Sequence, residues 1–406
     1  MNKCAGFLVG VGLLAFTAAA CLGAEGLVLP KDLALPANVA VAIYLPKNVR
    51  EFRSAFRSAG GFQTTESVQL GNTFEESTLA AAQHFFRSSF MYEATGTPPY
   101  GLLVAIHPSV KSEDKQLIAT GHYQVYDGAG TSVLKGDSVV RWAPGGFAAH
   151  ASDILGSLME QVITRTLTDV VAQLRPTAEK FPTSEKAQLG VELLADKDHP
   201  VMSGTGFFLN STGQVLTAAH VVHECAVIDV RRESSSVPAT VTASTALLDV
   251  AVLDTHISNV HSLALSHQDH PALGESVVNI GFPLQSLMTD APTVTRGTLS
   301  SRAGLNGSLG QFQFSAPIQP GASGGPVIGA RGDVLGVAVG TLNAAELLKQ
   351  GALPQNVNFA LEAGYVEKFL QSKSIAFTQG TADARSSGDA PIDDALPAVV
   401  GIKCYQ

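Results

Sequence analysis

From Gln188 to about Lys373, apolar residues come in short runs, each closed by turn formers such as Gly, Pro, Asn and Asp. A long succession of such runs specifies strands, and many short strands in a row specify an all-β sandwich or barrel. The stretch from about Gly26 to Pro176 follows another rule. Val39-Ala-Val-Ala-Ile-Tyr-Leu reads as a strand by its β-branched content, and Asn72-Thr-Phe-Glu-Glu-Ser opens a helix that runs to about Phe90. Strands follow at 101–107, 115–126 and 132–141, the last two separated by the turn-forming Asp127-Gly128. Apolar residues at helical spacing (Ile154, Leu158, Val162, Leu167, Val170, Val171, Leu174) then predict a helix within 147–174. The fold class is therefore multidomain, a mixed α/β domain followed by an all-β domain.

At 406 residues the chain has the length for two domains. The polar, proline-marked segment 177–187 separates them, so the expected boundaries are 26–176 and 188–373. Residues 374–396, rich in Ala, Ser, Gly and Asp, are expected to form a flexible tail. The final segment 397–406 then reads as one more strand, docked on a sheet edge. A net charge of −9 without clustered Lys or Arg excludes nucleic acid as a partner, because phosphate binding needs such clusters.

The first 24 residues have the regions of a secretory signal peptide: Lys3, then an apolar run to Phe16, then small residues from Ala18. Two maturation routes are open. A cut before Glu25 leaves a soluble chain. A cut after residue 20, within the lipoprotein-box-like Ala18-Ala19-Ala20-Cys21, leaves Cys21 as a lipidated N-terminus and a membrane tether. The bulky aliphatic residue usual three places before the cysteine is absent, which favours the soluble form. Cys225 and Cys404 remain in the mature chain either way. Export exposes them to an oxidising compartment, where they are a candidate disulfide pair.

Three short motifs carry chemistry. Gly321-Ala322-Ser323-Gly324-Gly325-Pro326 surrounds a serine with glycines, which let the backbone turn sharply and leave the approach to the hydroxyl open. A serine hydroxyl needs a base to take its proton and donors to stabilise an oxyanion, here the N–H groups of Gly321 and Ser323. Gln214-Val-Leu-Thr-Ala-Ala-His220 places a histidine at the end of an apolar strand, a candidate base. Asp249 lies within Leu247-Leu248-Asp249-Val250-Ala251-Val252, where an unpartnered carboxylate would be costly, and an imidazole is the partner a triad supplies.

In the order His220, Asp249, Ser323 these residues resemble the trypsin-like, chymotrypsin-fold serine peptidases, and in detail the HtrA/Deg type, over residues 188–373. Ser203-Gly-Thr-Gly-Phe-Phe, Thr217-Ala-Ala-His220-Val-Val, Gly274-Glu-Ser-Val-Val-Asn-Ile-Gly281-Phe-Pro283 and Asn358-Phe-Ala-Leu361 carry the likeness. The resemblance implies a double β-barrel with a C-terminal helix at about 363–370, a triad in the cleft, hydrolysis of peptide bonds in polypeptide substrates, and no cofactor. It places the primary substrate pocket at Pro317, Ile318, Gln319, Val337, Val339, Gly340 and Thr341. None of these is charged, which predicts a small or medium aliphatic residue before the cut.

The chain also departs from the pattern. Ala322 stands where peptidases activated by cleavage have an aspartate, so no such activation is expected. Val339 lies where the family tends to place a hydroxyl supporting the triad acid, a role open to Thr341. No PDZ module follows, and 341–355 reads as an inserted lid beside the pocket. By element order the first domain resembles small α/β domains of bacterial envelope lipoproteins. It carries no catalytic constellation, and a protein partner in the envelope is expected for it. Its histidines (His84, His107, His122, His150) read as surface or satisfied core residues, and His256, His261, His267 and His270 as solvated loop; no metal site is expected. The expected function is an exported, periplasmic or envelope-associated endopeptidase, with envelope protein quality control as the family analogy. The alternative is a protease-fold binding or sensor protein whose catalysis is latent or lost.

Overall fold

The computed structural model describes residues 34–406 apart from 37, 51–52, 58–64, 70, 94–95, 114–115, 143–150, 184–188, 233–234, 259, 268–270, 284–290, 305–307, 309, 342–355 and 381–391. The expected leader, Cys21, His150, His270, most of the lid and the middle of the tail lie outside the described residues. The chain divides into two compact units, with the break after Asp196 and only Gln406 returning to the first unit. Among the described residues no helix is long and apolar enough to cross a membrane.

The first unit is a five-stranded sheet, in the order β4-β1-β5-β6-β7. The strands are β1 (Val41–Tyr44), β4 (Ser89–Met91), β5 (Leu102–Glu113), β6 (Gln116–Asp127) and β7 (Ser132–Trp142); β2 (Arg53–Arg57) and β3 (Thr65–Gln69) form a separate hairpin. β1 runs parallel to both β4 and β5. Side chains alternate across a strand, so β1 sends Val41 and Ile43 to one core and Ala42 and Tyr44 to another. Burial on both faces explains why β1 reads as a continuous apolar run rather than an alternating one. The first core is covered by the helix Ala151–Leu174, through Ile163, Leu167, Val170, Val171 and Leu174, and by Phe74, Ala82 and Phe85 of the helix Gly71–Phe85. That second helix stops short of the expected Phe90, because Ser89–Met91 pairs with β1 instead.

The second face of the sheet moves the domain boundary. Its aromatic residues Tyr44, Tyr92, Tyr100 and Tyr126 pack with Leu189 and Leu194. Tyr92 donates to the Leu189 carbonyl at 2.7 Å, Tyr126 to the Leu193 carbonyl at 2.7 Å, and His107 Nε2 lies 2.8 Å from the Leu194 carbonyl. Residues 189–196, expected to begin the second domain, thus complete the first. The expected linker is also partly domain: Ala178 is buried in the core, and the Thr183 hydroxyl accepts the Ala40 N–H at 2.7 Å.

The second unit is two closed six-stranded barrels. The first has the order β10-β11-β12-β9-β8-β19, from β8 (Met202–Phe208), β9 (Gln214–Thr217), β10 (Val227–Arg232), β11 (Ser235–Thr245), β12 (Val250–Asp254) and β19 (Val399–Tyr405). The second has the order β13-β14-β15-β18-β17-β16, from β13 (Ser276–Gly281), β14 (Thr293–Ser301), β15 (Gln311–Phe314), β16 (Pro326–Gly329), β17 (Val334–Thr341) and β18 (Asn358–Glu362). The helix Ala363–Ser372 follows. One apolar core joins the barrels, with Phe207, Leu216 and Val252 of the first against Ile280, Ile328 and Val337 of the second.

The C-terminal segment differs from expectation. β19 does not sit on a sheet edge; it closes the first barrel, pairing with β8 on one side and β10 on the other. Cys225, just before β10, is joined by a disulfide to Cys404 of β19. The expected flexible tail is held where it is described. Leu265 N–H donates to the Thr378 carbonyl and Gly380 N–H to the Leu265 carbonyl, each at 2.8 Å, and Ile392–Ala395 is helical.

Candidate active site

β9 and β12 pair antiparallel with Thr217 opposite Ala251, and the same register carried two residues further sets Ala219 opposite Asp249. Beyond the paired residues the chain leaves β9 in a short 3-10 turn, Ala219–Val221, which carries His220. Asp249 does not lie inside the strand, as the apolar run suggested, but just before it at φ +53°, in the left-handed region. Aspartate tolerates that region better than most residues. The turn aims its carboxylate at His220: Oδ1 accepts the His220 backbone N–H at 2.9 Å, and Oδ2 lies 2.7 Å from Nδ1. Ala219 N–H bonds the Asp249 carbonyl at 3.1 Å. One residue therefore fixes both the backbone and the ring of the histidine. A carboxylate cannot donate, so Nδ1 carries the proton and Nε2 is left as an acceptor. Both side chains reach solvent, at 42% and 31% exposure.

Ser323 is a corner residue of the second of two successive tight turns. Ala322 N–H bonds the Gln319 carbonyl at 3.0 Å, with Pro320 and Gly321 at the corners and Gly321 at φ +97°; this is type II turn chemistry. Gly325 N–H bonds the Ala322 carbonyl at 3.0 Å, with Gly324 at φ +84°. Glycine is required at 324 for a second reason. A Cβ there would overlap the Thr205 carbonyl oxygen and the Thr217 hydroxyl, and would meet the Ala218 nitrogen at 2.7 Å. The Ser323 loop of the second barrel is thus packed against Ala218, two residues before His220. His220 and Asp249 come together directly, and Ser323 is carried to the same end of β8 and β9.

The residues expected to form the pocket separate by burial. Val337 (0% exposed) and Ile318 (9%) are core residues, in two different apolar clusters. Pro317 and Gln319 are exposed, and Val339 and Gly340 are half-buried. Thr341 ends β17, and its side chain lies outside the described residues.

Of the histidines set aside, His84 is exposed against the Phe85 ring, and His122 pairs with Asp137 at 2.8 Å. Burial pushes the His107 ring below its ordinary pKa. His256 lies 3.4 Å from Asp254, His267 pairs with Gln379 at 2.9 Å, and His261 is exposed. Two polar residues at the site escaped the reading of the sequence: Thr205 and Thr217, both fully buried. The available signal was a threonine between Gly204 and Gly206 in an apolar strand.

Residues 204–337 match the trypsin-like peptidase domain family. The chain is 32% identical over 232 residues to the uncharacterized protein y4bJ of Sinorhizobium fredii, covering 57% of this chain and 36% of that one. A Synechocystis protein that carries the name serine protease HhoB is 32% identical over 200 residues, 47% of this chain and 48% of its own. A DegP-like protein of Chlamydia pneumoniae, named as a periplasmic serine endoprotease, is 33% identical over 141 residues, 33% and 28% of the two chains. The chain therefore spans less than half the length of each of these relatives. The family match includes His220, Asp249 and Ser323 and most strands of both barrels, so residues 204–337 are a trypsin-like peptidase domain, similar in sequence to relatives of the HtrA/Deg type.

Proposed function

We propose that the protein is an exported serine endopeptidase. Ser323 Oγ attacks the scissile carbonyl carbon while His220 Nε2 takes its proton, and Asp249 holds the Nδ1–H and stabilises the imidazolium. The carbonyl electrons move to oxygen, where the N–H groups of Gly321 and Ser323 form the oxyanion hole. Collapse of that intermediate expels the amine, which takes the proton from His220, and water then releases the acyl group by the same route. The observation that carries the reading is the Asp249 clasp on His220, which leaves Nε2 as the acceptor a serine hydroxyl needs. The positive φ of Gly321 supports an oxyanion loop formed without cleavage, in keeping with Ala322 in place of an aspartate. A fluorophosphonate probe tests the reading: the native chain should be labelled and Ser323→Ala should not. A native chain that stays unlabelled would turn the assignment to a binding role.

The substrate proposal is a polypeptide cut after a small or medium aliphatic residue. Pro317, Gln319, Val339 and Gly340 carry no charge to match a Lys or Arg side chain. A peptide library should show Val, Ala, Ile or Leu before the cut, and a preference for basic residues would refute this. Export to the periplasm or envelope is supported by the disulfide, which persists in oxidising compartments, and by the name of the Chlamydia relative. A role in envelope protein quality control, a lipid anchor at Cys21 and an envelope partner for the first unit complete the proposal. Metabolic labelling with a palmitate analogue decides on Cys21: incorporation lost in Cys21→Ser supports the anchor, and none in the native chain removes it.

A further inference from the structure

We infer that Thr205, on the first barrel, is the positioning residue for the nucleophile loop of the second, and that it sets the direction of the Ser323 N–H. The inference rests on the endopeptidase reading for its consequence, though not for its geometry. Thr205 is fully buried in β8 and carries an unusual load of hydrogen bonds. The Phe282 N–H donates to its hydroxyl oxygen at 2.9 Å. A backbone N–H can only donate, so the threonine's own proton is free for another acceptor, and the Gly321 carbonyl lies 2.7 Å away to receive it. The backbone N–H of Thr205 donates to the Ser323 carbonyl at 2.8 Å. Its carbonyl in turn accepts the Thr217 hydroxyl at 2.7 Å, tying the arrangement to β9, the strand that leads to His220.

The consequence lies in the peptides these bonds bracket. The Gly321–Ala322 peptide is held at its oxygen by the Thr205 hydroxyl and at its N–H by the Gln319 carbonyl. The peptide after Ser323 is held at its oxygen by the Thr205 N–H. The Ala322–Ser323 peptide, which carries the Ser323 N–H, lies between two peptides bonded to the same residue. Its own oxygen accepts the Gly325 N–H at 3.0 Å, and with both neighbouring peptides anchored to Thr205 it cannot turn over without breaking that bond. The small residues around it close the remaining freedom. A Cβ at Gly281 would come within 3.2 Å of the Ala322 Cβ and 3.3 Å of the Thr205 hydroxyl, so Ala322 is seated closely against Gly281 and Thr205. The oxyanion donor on one barrel is thereby referenced to a strand of the other, the one neighbouring the base.

Valine matches threonine in shape and lacks the hydroxyl, so Thr205→Val removes two bonds, from Phe282 and to Gly321, and leaves the two backbone bonds in place. Because misplacing a reacting group by about 1 Å can cost 10²-fold in rate, Thr205→Val is expected to lower kcat about 10- to 100-fold. The readout is a chromogenic peptide anilide with valine before the scissile bond, with KM unchanged within about threefold. The rate of fluorophosphonate labelling should fall in parallel. Thr205→Ser, which keeps the hydroxyl, should recover most of the loss, a rescue that a purely structural role would not give. Unchanged kcat in Thr205→Val, or equal loss in Thr205→Ser, would overturn the inference. A crystal structure of Thr205→Val decides independently of catalysis. Displaced Gly321 and Ser323 carbonyls support the positioning role, and an unmoved loop removes it even if the native chain is never labelled. An unlabelled native chain with a displaced loop in Thr205→Val would remove the endopeptidase reading alone.

Discussion

Asp249→Asn is expected to lower kcat by about 10⁴-fold while the fold stays intact, because an amide in that position imposes the wrong histidine tautomer. The geometry makes this substitution an unusually clean one. Asp249 is at φ +53°, and asparagine is among the few residues that share aspartate's tolerance of the left-handed region, so the backbone gains no strain. The asparagine oxygen still accepts the His220 backbone N–H, which the carboxylate accepts at 2.9 Å. What changes is the group facing Nδ1. The carboxylate oxygen there, at 2.7 Å, can only accept, whereas the amide nitrogen can only donate. Nδ1 must then be the acceptor, the proton moves to Nε2, and the group that should take the serine proton no longer can. Asp249→Ala is a poorer probe, since it adds backbone strain to the loss of charge. The measurements are kcat on the valine anilide and thermal unfolding. A drop of less than about tenfold with unchanged unfolding would mean that the histidine is not held in its working tautomer by Asp249. In the Ser323→Ala background the same substitution should cost almost nothing further, since triad members act as a unit.

How much of this was legible beforehand follows from the range of the interactions. Strand runs and the helices of the first unit are local patterns, and they were readable for that reason. β1 reads as a strand because both its faces are buried, and the helix Ala151–Leu174 because its apolar positions recur on one side. The proposed triad can be picked out of the sequence because each of its residues sits in its own short motif, and the structure joins His220 and Asp249 directly. Interactions between distant segments left no such trace. Nothing near Leu189 announces that Tyr92 and Tyr126 will bond the carbonyls of 189 and 193, so the sequence pattern sets the boundary too early. β4 is three residues long and offers no period to detect. Thr205 looks like one polar residue in a strand, and its role depends on Phe282 and Gly321, both far along the chain. The barrel-closing strand is the extreme case: 397–406 read as a strand, but its partners β8 and β10 lie near residues 202–232.

That closing strand carries the second large expected effect: removal of residues 397–406 should prevent the second unit from folding. Val399, Val400 and Ile402 are at most 3% exposed, and each contributes about 1.5–3 kcal/mol by its burial. Together they approach the whole stability of a typical domain, about 5–15 kcal/mol. Losing the strand also opens the barrel, leaving β8 and β10 as unpaired edges, and unpaired edges invite aggregation. Gly401 pairs with Thr205, so the truncation strips the strand that braces the nucleophile loop as well. The disulfide adds a separable increment. Cys225 and Cys404 are 179 residues apart, and closing so long a loop restricts the unfolded chain by about 5 kcal/mol in the chain-entropy account, of which about 2–4 is commonly realised. Cys225→Ala/Cys404→Ala should therefore fold, label with fluorophosphonate, and unfold at lower denaturant than the native chain. Reductant should bring the native chain down to the same midpoint and leave the double variant unmoved. A truncated chain that unfolds cooperatively at the native midpoint and still labels would show that the barrel closes without its last strand. A double variant as stable as the native chain would show that hydrogen bonds and apolar burial alone hold β19 in place.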